Sequence, residues 1–218
     1  MSVFLLYLQY NATISGCNTE NTTNGGCIYK RTKNMTTIFS NNEDIDCEVL
    51  RTLFSNIPNN HVIELTYSMR GSDWDELVEQ ALEIETDTLI LCGHGSNEGL
   101  YFPRFEEYVI HRFNVNRIHA RRVICSWCHA SMFVMEHNVH NCLATSMFIS
   151  NIHEACENGY MQPTQEDINN VCQRIDSEIN SLIMSDSPIS EWQMIIGSHM
   201  DVENEIDMFN RQGIIYNE

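Results

Sequence analysis

Three short apolar runs constrain the fold more than any other feature of the sequence. Residues 87–95 read DTLILCGHG, residues 122–127 read RVICSW, and residues 144–150 form a third run, ATSMFIS. Runs of this length without polar alternation are typical of strands that are buried on both faces of a parallel sheet. The sequence therefore predicts a sheet whose central strands are fully enclosed.

Amphipathic helices are predicted between these strands. The segment DIDCEVLRTLFSNIP places its apolar residues on one helical face, and Pro58 ends that helix. Residues 61–68 are strand-like, and SDWDELVEQALE forms a second helix with Ser72 as its cap. Thr164 and Asp167 cap a long third helix. This alternation predicts an α/β fold of three layers, with a mostly parallel sheet of about six strands between helices.

The 218 residues are interpreted as one domain, because the sequence contains neither an internal repeat nor an interdomain linker. Residues 1–40 are expected to form a first strand, MSVFLLYLQY, and an Asn/Thr-rich loop over residues 11–37. Residues 41–155 are expected to form the core of the fold. Residues 156–218 are expected to form an acidic, helical C-terminal part.

The apolar N-terminus is not interpreted as a signal peptide, because it lacks a basic segment and is short for a signal core. The Asn-x-Thr sequons at Asn11, Asn21 and Asn34 are interpreted as chance products of an Asn/Thr-rich loop. No other segment is as long as a membrane span. The nine cysteines are scattered and odd in number, which favours reduced thiols and a cytoplasmic location.

The charge of the chain argues against nucleic acid as a partner. The formal net charge is −18, and the stretch from Glu154 to the end contains 13 acidic residues but only Arg174 and Arg211 as basic ones. Such a surface repels a phosphate backbone. We therefore expect a partner other than nucleic acid or membrane.

The segment CSWCH can be interpreted as a metal or redox site. Haem attachment through Cys125, Cys128 and His129 is disfavoured because no export signal is recognised. Zinc could bind Cys92 and His94 together with the three residues of CSWCH, but the Glu and Pro of the zinc-deaminase signature are missing. We expect no metal and no organic cofactor. A zinc-binding protein using CGH and CSWC stays open as an alternative.

The same two segments also fit nucleophilic catalysis. Cys128 follows one buried strand and His94 follows another, and in α/β sheets ligand and catalytic sites collect beyond the carboxyl ends of the strands. An unperturbed thiol is mostly protonated at neutral pH, so a neighbouring imidazole must take its proton. The backbone amides of Gly95 and Cys128 are candidates for an oxyanion hole.

The two blocks, LILCGHG and VICSWCHAS, resemble those of the caspase, metacaspase, legumain and gingipain group of cysteine peptidases. The resemblance covers roughly residues 40–155, including the first helix, DCEVLRTLF. It implies a caspase-like fold with Cys128 as nucleophile and His94 as its partner. Ser131 departs from the pattern, since many members have a glycine in this loop.

A cysteine endopeptidase that cleaves peptides or proteins through a thioacyl intermediate is the function that this resemblance implies. The acidic charge of the chain favours a basic residue before the scissile bond. A non-catalytic binding or inhibitory module on a caspase-like fold stays open as the alternative, because a fold does not establish a function.

Overall fold

A computed structural model describes residues 34–104 and 107–218, with the side chain of Ser72 left out. The strand predicted for MSVFLLYLQY and most of the Asn/Thr-rich loop lie outside these residues. The first described strand, β1 (Met35–Ser40), overlaps the end of the segment that was predicted as a loop. That prediction was wrong for residues 35–37, because the polar Thr37 is buried in the sheet and its hydroxyl donates to Asn60 Oδ1 at 3.0 Å.

The further elements alternate between strands and helices through most of the chain. In order they are α1 (Ile45–Phe54), β2 (Asn60–Leu65), α2 (Gly71–Glu83), β3 (Thr88–Cys92), β4 (Gly95–Ser96), β5 (Gly99–Tyr101), β6 (Tyr108–His111), β7 (Arg122–Ser126), α3 (Ala130–Glu136), β8 (Cys142–Thr145), α4 (Ile152–Glu157), α5 (Gln165–Met184), α6 (Trp192–Ser198), α7 (Glu205–Gln212) and β9 (Ile214–Asn217). Two short 3-10 helices, Val115–Arg117 and Ile189–Glu191, complete the described secondary structure.

Six strands form the main sheet in the order β2-β1-β3-β7-β8-β9. The pairs among the first five strands are parallel, and β9 is antiparallel to β8. The prediction of a mostly parallel sheet of about six strands is therefore confirmed. Cys92 pairs with Ser126, so β3 and β7 end at the same level of the sheet.

Helices cover both faces of this sheet. Successive side chains of a strand point to opposite faces, so each central strand contributes to two core clusters. Ile90 and Ile124 pack into a core cluster with residues of α1, α5, α6 and α7. Leu89, Leu91 and Cys125 pack into a second cluster with residues of α2 and α3. Burial of both faces explains why the central strands have unbroken apolar sequences.

Several predicted boundaries differ from the structure: α1 ends at Phe54, before Pro58, and β2 covers Asn60–Leu65 where residues 61–68 were predicted. Helix α2 begins after Arg70, so Ser72 lies within its first turn and is not the N-cap. Strand β8 ends at Thr145 instead of continuing to residue 150. Beyond it, the fully buried Ile149 has both its N–H and its carbonyl bonded to the side chain of Asn210, at 2.8 and 2.9 Å. The apolar run therefore continues as a loop, in which the Asn210 side chain satisfies the backbone hydrogen bonds of Ile149.

Strands outside the main predictions complete the fold. β4, β5 and β6 form a small antiparallel sheet directly after β3. The acidic C-terminal part contains the predicted helices, of which α5 has the predicted capping box between Thr164 and Asp167, but it ends in β9. Within residues 34–104 and 107–218, no helix has the length and apolar character needed to cross a membrane.

Candidate active site

His94 lies in the turn between β3 and β4, directly after Gly93. The φ of Gly93 is 145°, a value that side chains rarely allow, and a Cβ there would lie 2.6 Å from the carbonyl oxygen of Ser40. The glycine lets the backbone pass close to β1 and turn out of the sheet. His94 is thereby presented beyond the carboxyl ends of the strands, where the sequence predicted it.

Asp44 holds the imidazole of His94. Its Oδ2 atom lies 2.8 Å from His94 Nε2, and its Oδ1 atom accepts a hydrogen bond from the Cys47 amide at 2.9 Å as the N-cap of α1. Burial by itself raises the pKa of Asp44, but the bonds from the Cys47 amide and from His94 outweigh it and lower that pKa. The carboxylate is therefore ionised at neutral pH and can orient the ring.

Cys128 lies two residues after β7, in a loop that is bonded to the end of β8. Thr145 Oγ1 accepts a hydrogen bond from the Trp127 amide and donates one to the Trp127 carbonyl, at 3.1 and 2.7 Å. The His129 amide donates to the Ser146 carbonyl at 3.0 Å. These bonds fix the backbone on both sides of the cysteine.

The residue of this loop that needs a left-handed backbone is His129, with a φ of 65°. Ser131 lies within α3, and its hydroxyl is 2.8 Å from that of Ser146. The departure from the family pattern at Ser131 therefore occurs at a position that does not require glycine.

The structure brings Cys128 and His94 to the same narrow cavity. Gly93, Ser126 and Trp127 line it beside them, and its apolar wall includes Val49, Leu50 and Phe148. β3 and β7 are adjacent and end level with each other, so the two loops leave the sheet side by side. The two predicted site residues therefore border one cavity of about 40 Å³.

The thiol of Cys128 is protonated in the free protein. Burial raises its pKa to about 11, with a further rise from the charges of Glu154 and Asp46 and an opposing effect of the Phe148 amide. We expected the imidazole of His94 to ionise this thiol. In the structure, burial and the two carboxylates instead favour the protonated thiol. Cys125 is 1% exposed, and burial, followed by the neighbouring Cys142, raises its pKa well above the usual value of a thiol.

Trp127 connects the loop of His94 to the loop of Cys128. Its indole N–H donates to the Ser96 carbonyl at 3.0 Å, and its ring lies against Gly95, where a Cβ would be 2.2 Å from Trp127 Cδ1. The two amides predicted for the oxyanion hole, those of Gly95 and Cys128, thus belong to segments held together by one side chain. Among the described residues, none accepts a hydrogen bond from the Cys128 amide.

Two carboxyl groups in the same cavity were missed by the sequence analysis. Asp46, in the first turn of α1, and Asp176, in α5, both line the cavity that contains Cys128. Asp46 Oδ1 and Asp176 Oδ2 are buried and have no hydrogen-bond partner in the described part of the chain. Burial raises the pKa of Asp176 to about 8. Buried polar atoms normally have partners, so these two oxygens indicate a site for a polar or charged group.

The zinc arrangement considered from the sequence is not assembled by the fold. Cys92 packs into the core cluster on one face of the sheet, and Cys125 packs into the cluster on the other face. Side chains on opposite faces of a sheet cannot converge on one ion. In the described residues, the group that could hold a metal is a different one, formed by Asp44, Cys47 and His94.

Comparison of the chain with protein-family models, with curated proteins and with solved structures found no match in any of the three.

Proposed function

We propose that the protein is a cysteine endopeptidase with a caspase-like fold, in which Cys128 is the nucleophile and His94 transfers its proton. The observation that carries the proposal is the position of the two residues beyond neighbouring parallel strands, on one cavity, with Asp44 bonded to the imidazole. A nucleophile, a base and a carboxylate that orients the base are the groups that thiol acylation requires.

Each step of the reaction can be assigned to a group of the protein. His94 takes the proton of Cys128 as the sulfur attacks the carbonyl carbon of the substrate, and the amides of Gly95 and Cys128 bind the resulting oxyanion. His94 then gives the proton to the leaving amine as the C–N bond breaks, which leaves a thioester on Cys128. A water molecule attacks the thioester, and His94 takes one proton of the water and returns it to the thiolate as the acid leaves.

The substrate class follows from the carboxyl groups of the cavity. Asp46 Oδ1 and Asp176 Oδ2 lack partners in the described part of the chain, and Val49, Leu50 and Phe148 provide apolar contacts in the same cavity. An arginine or lysine side chain has the matching chemistry, because its stem is apolar and its end is a cationic donor, and the cavity of about 40 Å³ has to widen to admit it. We therefore assign cleavage after a basic residue.

A basic side chain in the cavity would also activate the nucleophile. The charges of Glu154 and Asp46 contribute to the raised pKa of Cys128, and a cation bound beside Asp46 counteracts the effect of that charge. The thiol would thus stay protonated in the free enzyme and ionise more readily when the correct substrate is bound. Substrate binding then provides part of the activation that His94 does not provide alone.

The experiment compares kcat/KM for fluorogenic peptides that differ only in the residue before the cleaved bond: Arg, Lys, Asp, Asn or Ala. We expect cleavage after Arg and Lys, loss of activity in Cys128→Ala, and at least about a 30-fold lower kcat/KM in Asp46→Asn, as for removal of one charge from a buried pair. Glu157→Gln, an exposed carboxylate of α4, is the matched control and should behave as wild type. Preferential cleavage after Asp would contradict the assignment.

The raised pKa of Cys128 also favours a second candidate, a module of this fold that binds basic segments without cleaving them. It predicts tight binding of Arg-containing peptides that depends on Asp46 and Asp176, with no product in any assay. Mass spectrometry after long incubation separates the two functions. A peptidase releases peptide fragments that the Cys128→Ala variant does not release, whereas a binding module releases none.

A further inference from the structure

A cluster of three different ligand groups lies on the side of His94 that faces α1. The carboxylate of Asp44, the thiol of Cys47 and the imidazole of His94 each offer one ligand atom, and these atoms all lie within 4.8 Å of one another. Among the residues that the structure describes, this is the one such group of three or more. Oxygen, sulfur and nitrogen donors of these kinds are the usual protein ligands of zinc.

The distances suit a tetrahedral ion. Zinc bonds of about 2.0 to 2.3 Å place the ligand atoms of a tetrahedron roughly 3.3 to 3.8 Å apart. Asp44 Oδ2 and His94 Nε2 are already 2.8 Å apart, and no pair in the cluster exceeds 4.8 Å. Small side-chain shifts of about 1 Å therefore convert the hydrogen-bonded arrangement into a coordination site.

The backbone holds two of the ligands at fixed positions. Asp44 is the N-cap of α1 and Cys47 is three residues further on, with its amide bonded to the Asp44 carboxylate. Cys47 Sγ accepts a hydrogen bond from the Asn42 amide at 3.3 Å, an outer contact of the kind that orients a metal ligand. Asp44 and His94 are partly exposed, so an ion can enter from their side.

We propose that Asp44, Cys47 and His94 bind one Zn²⁺, and that the ion reversibly inhibits the peptidase. On binding, the Cys47 thiol loses its proton to solvent, so that a carboxylate and a thiolate balance the charge of the ion. A water molecule or a substrate group takes the fourth position. The binding site stands on its own geometry, whereas the inhibition rests on the proposed peptidase function.

Inhibition follows from the chemistry of imidazole. When zinc occupies one ring nitrogen, the other carries the proton of the neutral ring. The imidazole then has no lone pair with which to accept the proton of Cys128, whichever nitrogen faces the thiol. The ion also takes Asp44 away from its role as the partner of the ring. Zinc therefore blocks the proton transfer without touching Cys128.

The binding experiment uses protein freed of metal with a chelator and kept reduced. Equilibrium dialysis against Zn²⁺ with elemental analysis should give about one ion per chain, and Co²⁺ in its place should give a thiolate charge-transfer absorption. Asp44→Asn keeps a good N-cap and should weaken zinc binding at least about 10-fold. Cys47→Ser should abolish the cobalt–thiolate absorption, with circular dichroism as the check on folding.

Two control variants distinguish this site from others nearby. Asp46→Asn removes a carboxylate from the same helical turn, and Cys128→Ser removes the nucleophile; both should bind zinc as wild type does. Absence of stoichiometric zinc, or zinc binding that is lost in Cys128→Ser and retained in Asp44→Asn, would overturn the proposal. The assay needs no enzyme activity, so zinc binding without peptidase activity would refute the proposed function and leave the metal site standing.

Discussion

Asp44 Oδ2 lies 2.8 Å from His94 Nε2, across 50 positions of the chain. The same carboxyl group caps α1 by accepting the Cys47 amide at 2.9 Å. One side chain therefore fixes the start of a helix and the orientation of the proposed base. Substitutions of Asp44 separate these two roles, because asparagine can cap a helix and alanine cannot.

Asp44→Asn should retain the stability of the wild type and lower kcat about 100-fold, because an amide does not stabilise the imidazolium form of His94. Asp44→Ala should lower kcat similarly and also lower the free energy of unfolding by about 1 kcal/mol, through loss of the cap. Urea unfolding and kcat with an Arg substrate measure the two effects. Equal kcat in wild type and Asp44→Asn would show that the carboxylate has no role in catalysis.

Cysteine reactivity should follow burial and pKa. At a limiting dose of iodoacetamide, Cys128 should be labelled before Cys125, because Cys128 is partly exposed whereas Cys125 is 1% exposed and its pKa is also raised well above the usual value. The rate at Cys128 should rise about 10-fold per pH unit from pH 7 towards its pKa of about 11, in step with the thiolate fraction. Peptide mass mapping gives both rates. Labelling of Cys125 before Cys128 would refute the predicted order. We also expect His94→Ala to slow the labelling of Cys128.

Asp176 should make the protein less stable as the pH rises. Its folded pKa of about 8 lies above the value of about 3.9 for an unfolded chain, so between these values the unfolded state loses the proton and the folded state keeps it. Stability from this group is fully present below about pH 4 and falls by up to about 1.4 kcal/mol per pH unit until about pH 8.

Urea unfolding of the wild type and of Asp176→Asn between pH 5 and 8 measures this contribution as a difference. The stability of Asp176→Asn relative to wild type should increase steadily with pH, because asparagine carries no proton to lose. A pH-independent difference between the two proteins would show that Asp176 is ionised in the folded state.

Gly95 should not tolerate a side chain. A Cβ there would lie 2.2 Å from Trp127 Cδ1 and 2.6 Å from the Gly99 carbonyl oxygen, so Trp127 has to move, and the loop of Cys128 with it. We expect Gly95→Ala to cost about 1 to 3 kcal/mol of unfolding free energy and to lower kcat/KM. Gly197→Ala, in an exposed part of α6 with nothing within 4 Å, is the control and should not destabilise the protein. Equal stability of the two variants would contradict the close contact.

The sequence predicted the elements whose signals are local. The apolar periodicity of α1, the capping box of α5 and the enclosed strands β3 and β7 are all present in the structure, and the two strands position His94 and Cys128. β4, β5 and β6 were missed because strands of two to four residues are too short to show a period. β1 was misjudged because its threonines are buried in the sheet and the Thr37 hydroxyl bonds to Asn60, a contact that the sequence does not reveal.

The remaining site residues depend on tertiary contacts. The acidic residue before α1 is visible as a helix cap, but its bond to His94 forms only when β3 and α1 lie side by side. Asp46 and Asp176 are on helices far apart in the chain and share a cavity only in the folded protein. The raised pKa of Cys128 likewise comes from burial and from charges on other elements. The sequence could therefore predict that Cys128 and His94 lie beyond neighbouring strands, but not what surrounds them.

The most direct test of the central claim is the intact mass of the protein after reaction with a peptide acyloxymethyl ketone that carries arginine next to the reactive carbon. We predict one adduct per chain, located on Cys128 by peptide mapping, absent in Cys128→Ala, slowed in His94→Ala and unchanged in Cys125→Ala. An adduct on another cysteine, or a Cys128 adduct that forms as fast in His94→Ala as in the wild type, would contradict the assignment of the two residues as a catalytic pair.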